Sequence, residues 1–245
     1  MALSAFSAVA FGTFLVPPVP AFFTQPPNDT VMRVASQWGG QVTVVLGAVA
    51  GVAFLAHAVG TRRTLQALAA CFILALAAES LGAATDVPFG PYDYTDRLGF
   101  RIGGLVPFNI PTSWFYMMVA GLGLTSRLLT PRDDARTRWW WAFVAAVILT
   151  AWDLVMDPAM FRTEHWLWMV PDTVALPAWQ RLLLHDGYFG IPVVNFLGWV
   201  LTGTLVARAI VAIIPPSEWA RAVAPSRFPA ALYAANGILP IVICL

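Results

Sequence analysis

Residues 65–94 read LQALAACFILALAAESLGAATDVPFGPYDY, and this stretch decides the fold. Its first twenty residues are apolar enough and long enough to cross a bilayer as one helix, which takes about 20 such residues. Glu79 interrupts that run, and a turn-forming segment carrying Tyr92 and Tyr94 follows it at once. An ionised carboxylate inside lipid costs ~2.5–3.5 kcal/mol even on insertion scales, so an acid at this depth points to a use.

The rest of the chain agrees. Of 245 residues, 59% are hydrophobic and 11% charged, with mean hydropathy +0.71. Soluble domains carry about 25% charged residues, so the bilayer is the solvent to expect. Windows of suitable length lie at roughly 2–23, 41–60, 65–84, 105–126, 139–157, 188–214 and 228–245. The expectation is an all-α, polytopic transmembrane helix bundle of about seven spans, one integral membrane domain over 1–245 with no internal repeat. The first run has no basic residue ahead of it and reads as a span, not a cleaved signal. Pro17, Pro18 and Pro20 should kink it or end it early, whereas Pro107 and Pro111 fall in the opening turns of the fourth window. The connection 158–187, with Trp166, Trp168 and Trp179, could hold a short surface or re-entrant helix.

All 14 basic residues are arginine, and the net charge is +1. Without a basic face there is nothing to neutralise phosphates, which argues against a nucleic-acid partner. Nine arginines follow the second, fourth and sixth windows and five lie on the other side. The positive-inside rule then places the former in the cytoplasm and makes this a multi-pass protein of the cell (plasma) membrane. Cys71 and Cys244 sit in separate runs, and His57, His165 and His185 keep no metal-like spacing, so neither a disulfide framework nor a metal site is expected.

With that topology, Glu79 lies about one and a half turns before the end of the third window. Asp153 is about one turn before the end of the fifth, and Asn195 about two turns into the sixth. Three polar side chains on three helices share one depth, the pattern of a pocket. Asp157 shares a helix face with Asp153, and Pro158 directly after it is expected to stop that helix. Asp93, Asp96, Asp172 and Asp186 read as solvated loop acids. Trp114 and Tyr116 read as interface anchors or packing.

The segments Pro88-Phe89-Gly90-x-Tyr92-x-Tyr94, Asp153-x-x-x-Asp157-Pro158, Trp166-x-Trp168 and Tyr188-Phe-Gly-Ile-Pro-x-x-Asn195-Phe-x-Gly-Trp199 occur in that order. Together they resemble the carotenoid biosynthesis membrane proteins, which include bisanhydrobacterioruberin and gamma-carotene hydratases. The resemblance covers about residues 79–199. It implies a hydro-lyase, a carotenoid 1',2'-hydratase, that adds water across the terminal double bond of a lycopene-like or bisanhydrobacterioruberin-like substrate. The product is a tertiary alcohol, and no cofactor is needed. Such chemistry asks for a proton donor, a place for a tertiary cation and one admitted water. Glu79 or Asp153 would donate the proton, with the other and Asp157 positioning water and Asn195 holding the network. Phe89, Tyr92, Tyr94, Trp152, Trp166, Trp168, Tyr188 and Trp199 would supply aromatic faces to substrate and cation. Partners implied are the carotenoid, the lipid bilayer and other enzymes of the same pathway. Two rival readings remain. One is a magnesium-dependent prenyltransferase using Asp153-x-x-x-Asp157 and Asp93-x-x-Asp96. The other is a proton-coupled transporter using Glu79 and Asp153.

Overall fold

The computed structural model describes residues 21–169, 177, 181, 183 and 187–244. After a short 3-10 turn, Ala21–Thr24, come helices α1 (Asn28–Val59) and α2 (Thr61–Thr85). An irregular segment follows, with short strands β1 (Tyr92–Tyr94), β2 (Arg101–Ile102) and β3 (Val106–Pro107). Helices α3 (Asn109–Leu128) and α4 (Ala135–Arg162) precede β4 (Trp166–Trp168). Helix α5 (Val193–Ile213) leads through a helical turn at Pro216–Glu218 and a π-helical turn at Trp219–Val223 to α6 (Phe228–Cys244).

Six of the seven expected windows coincide with these helices, and most of the first, with Pro17, Pro18 and Pro20, lies outside the described residues. Among the described residues four helices are long and apolar enough to cross a membrane: α1 over Trp38–Val59, α2, α4 and α5. The expected count of about seven is not confirmed among the described residues. Helix α6 has only 17 residues and carries Pro240 inside it. Helix α3 opens on Asn109, Pro111, Thr112 and Ser113, which dilute its hydropathy. It is buried along most of its length, packing on α1, α2, α4 and α6, so its neighbours and not lipid form its surroundings.

The tightest helix pair is α4 with α5. Pro158 does not end α4, contrary to the expectation. The helix runs one more turn to Arg162, with Pro158 buried inside it. A proline removes one backbone hydrogen bond, and buried membrane helices absorb that loss where neighbours cover the freed carbonyl.

Two features carry the chain from α2 over the end of the bundle. Asp86, at φ 64° and ψ 2°, stops α2 in the left-handed conformation that aspartate tolerates, its N–H bonding to the Gly82 carbonyl at 2.8 Å. Strand β1 then pairs antiparallel with β4, Tyr92 opposite Trp168 and Tyr94 opposite Trp166. Side chains alternate along a strand, so Asp93 and Leu167 face outward while both tyrosines and both tryptophans point into the bundle. The connection 158–187 thus holds a strand, and Arg181 and Leu183 within it are helical, the Arg181 N–H bonding the Pro177 carbonyl at 3.0 Å; residues 170–176, Trp179 and His185 lie outside the described set.

The strand pair is pinned from outside. Arg101 donates to the Tyr94 carbonyl at 2.6 Å and to Asp96 at 3.1 Å, and Arg97 pairs with Glu164 at 3.0 Å. Next to them His165 contacts the Thr163 hydroxyl at 2.8 Å. Burial and then the Arg97 charge push the His165 imidazole down to about 4. Its ordinary value is near 6.5, so below that pH the unfolded chain takes up a proton the folded one refuses. Stability from this group is full above about pH 6.5. It declines as pH falls to about 4 and then levels off. His165→Asn should remove this slope from the melting temperature measured against pH in detergent.

Candidate functional site

The inward face of α2 carries Thr64, Ala67, Cys71, Ala75, Glu79 and Gly82, three or four residues apart as one helix face requires. Glu79 is 4% exposed. Its Oε2 accepts hydrogen bonds from the Tyr94 hydroxyl at 2.7 Å and the Tyr92 hydroxyl at 2.9 Å. Its Oε1 accepts from the Trp114 indole N–H at 3.0 Å. One turn on, Gly82 leaves room for these donors: a Cβ there would meet the Phe89 ring at 2.8 Å and the Tyr92 oxygen at 2.9 Å. Burial first, and the Glu79 carboxyl second, push both tyrosine hydroxyls up from their ordinary value, so both are neutral phenols able to donate and to accept.

Across the bundle, Asp153 and Asp157 lie one turn apart on the buried face of α4. Asp157 Oδ1 accepts from the Trp166 indole N–H at 2.5 Å and from that of Trp168 at 3.4 Å. Its Oδ2 accepts from the Asn195 amide at 2.5 Å, and the same amide nitrogen reaches Asp153 Oδ2 at 3.4 Å. Asp153 Oδ1 is buried with no hydrogen-bond partner among the described residues. Asn195 sits in the first turn of α5, where Gly198 lets the helix approach the Pro88 backbone; a Cβ on Gly198 would lie 2.7 Å from the Pro88 carbonyl oxygen.

The strand pair β1–β4 therefore serves both acids. Its tyrosines supply Glu79 and its tryptophans supply Asp157. Between them opens a small cavity of about 40 Å³, room enough for water. Of the residues expected to form a site, Glu79, Phe89, Tyr92, Tyr94, Asp157, Trp166, Trp168, Asn195 and Trp199 line it. Asp153 does not line it and touches it only through Asn195. Trp152 lies behind Trp199, edge to face at 6.3 Å, and donates to the Asn236 carbonyl. Tyr188 is 42% exposed, meets Phe189 and Phe196 edge to face, and does not line the cavity.

Trp114 corrects the sequence reading. It is not an interface anchor: it is buried, bonds Glu79 and stacks on Trp199 with ring centres 4.4 Å apart at 12°. It follows directly on the polar residues that open α3, a position an interface tryptophan would also take. Ile110, Ser113 and Met156 complete the lining and were also missed. Tyr116, by contrast, is packing, its ring against Gly47 of α1. Asp93 and Asp96 are exposed as loop acids should be, while Asp172 and Asp186 lie outside the described residues.

Two buried acids held by neutral donors beside an aromatic-walled chamber can give and take a proton. The comparisons with known proteins point to the substrate class. The profile of a family described as carotenoid biosynthesis protein matches residues 39–245. A bisanhydrobacterioruberin hydratase from Haloarcula japonica is 28% identical over 144 residues. That match takes in 59% of this chain and 43% of that protein, so the chain spans under half the length of this curated relative. No solved structure matches. With the family match running through most of its length and through every helix and strand of the site, this chain belongs to the carotenoid biosynthesis protein family.

Proposed function

We propose that the chain is a carotenoid hydratase that adds water across the terminal double bond of an acyclic carotenoid end group. One observation carries the reading: Glu79 and Asp157, on different helices, both line one small cavity walled by aromatic rings. The name of the curated relative supports the substrate class.

Glu79 is the proton donor. Its partners Tyr92 and Tyr94 can reverse their hydrogen bonds, so the carboxyl can hold or release a proton without orphaning a buried group. The proton goes to the less substituted alkene carbon, and the other carbon becomes a tertiary cation. The rings of Trp199, Trp166, Trp168 and Phe89 line the cavity in which that cation would form. Each ring can stabilise a desolvated cation by ~2 kcal/mol. Asp157 is the acceptor. Indole N–H groups and the Asn195 amide nitrogen can only donate, which suits a carboxylate that orients water and takes its proton as the C–O bond forms. Return of that proton to Glu79 leaves the net addition of one water. Asp153 acts through Asn195 and not on the substrate.

The prenyltransferase reading needs a second acid pair facing the first. Asp93 and Asp96 point away from the cavity, Asp96 toward Arg101. The transporter reading has no observation in its favour here.

Expression of the chain in cells that accumulate lycopene, and separately in cells that accumulate bisanhydrobacterioruberin, tests the proposal. Extracted pigment should gain the mass of one water per end group and become more polar. Unchanged pigment in both hosts, with folded protein present in the membrane fraction, would refute it.

A further inference from the structure

A second polar feature lies at the opposite end of the bundle, and it is independent of the hydration chemistry. Arg208 belongs to α5, inside a stretch apolar enough to span a membrane, about five residues or ~7.5 Å before the helix ends. Its guanidinium carbon lies 5.3 Å from the centre of the Trp139 ring, near the start of α4. Its Nε is buried without a hydrogen-bond partner, and so is the Nε of Arg138, the residue before that tryptophan. Among the described residues neither arginine pairs with a carboxylate.

The acids at this end make their hydrogen bonds and ion pairs with other groups, although the Asp133 charge is felt by Arg138. Asp133 accepts from the Ser217 N–H and hydroxyl, Asp134 caps α4 through Thr137, and Glu218 pairs with Arg63. An arginine at such depth without a counter-ion is costly, and a charged group in a span ordinarily has a partner. Beside it, Trp139 and Trp140 are about half exposed, and Trp140 stacks on Phe143 to form an aromatic ledge of the kind found at bilayer interfaces.

We propose that Arg208 and Arg138, flanked by Trp139 and Trp140, bind the headgroup phosphate of an anionic phospholipid. The Trp139 ring covers one face of the Arg208 guanidinium and leaves its edge, where the N–H donors lie, for two oxygens of a phosphate. The ledge lies against the glycerol and upper acyl region. The partner is a lipid and not a free ion, because these groups sit where a membrane presents phosphate beside apolar surface.

Native mass spectrometry of the full chain, exchanged against phosphatidylglycerol and phosphatidylcholine in neutral detergent, decides this. The wild-type chain should retain phosphatidylglycerol over phosphatidylcholine. R208Q should lower that retention about fivefold, the factor one arginine supplies near an anionic surface. R138Q should lower it too, and it keeps the test open if R208Q fails to fold. R136Q, at an exposed arginine of the same end, should leave it unchanged. Equal retention of both lipids by wild type, wild-type retention in folded R208Q and R138Q, or an equal fall in R136Q would overturn the proposal. So would inorganic phosphate raising the melting temperature in phosphatidylcholine vesicles as much as phosphatidylglycerol does.

Discussion

Glu79→Gln should lower hydration by ~10²–10⁴-fold, the range a positioned general acid contributes. The substitution keeps the shape of the side chain and an oxygen for one of its donors. Its new amide can donate to a tyrosine hydroxyl, since phenols also accept. The buried network therefore survives and the melting temperature should change little. Product formation from lycopene, per folded molecule in membranes, is the measurement. Activity within threefold of wild type would remove Glu79 from the chemistry and leave it a structural hub.

Asp157→Asn should be equally damaging to turnover, by ~10²–10⁴-fold, and unlike the first it should also destabilise. Asp157 has donors on both sides: two indole N–H groups on Oδ1 and the Asn195 amide on Oδ2. An asparagine must set its own NH₂ against one of them. Two donors facing each other in a buried place cost ~1–3 kcal/mol, less if Asn195 turns its amide to present oxygen. Activity and melting temperature measured on one preparation separate the two acids. Loss of turnover alone is the signature expected of Glu79, and loss of both that of Asp157. If Asp157→Asn turns over normally, the water-activating role belongs elsewhere, and Asp153 is next to test.

The helices were legible because hydropathy over twenty residues is a long signal, and α2, α4 and α5 fall where it put them. Glu79, Asp157 and Asn195 were legible for the opposite reason, as polar residues where lipid makes them expensive. Asp153 met the same criterion and yet stands behind Asn195, since depth along a helix says nothing about which group reaches a cavity first. Trp114 was missed because tryptophan at a membrane edge and tryptophan bonding a buried acid read alike in a sequence. The pairing of Tyr92–Tyr94 with Trp166–Trp168 was out of reach. Each strand has three residues, their partners lie some seventy positions apart, and no local pattern announces so short a ladder. Pro158 misled because the rule that proline ends a helix is calibrated on chains surrounded by water.

That short ladder has a consequence for how the protein can change. A slip of one residue by either strand would turn its inward pair outward together, Tyr92 with Tyr94 or Trp166 with Trp168. Glu79 would lose both hydroxyl neighbours if β1 slipped, and Asp157 both indole neighbours if β4 did. Each half of the chamber therefore hangs on one three-residue strand, and an insertion between 92 and 94 or between 166 and 168 should remove two donors from one acid at once.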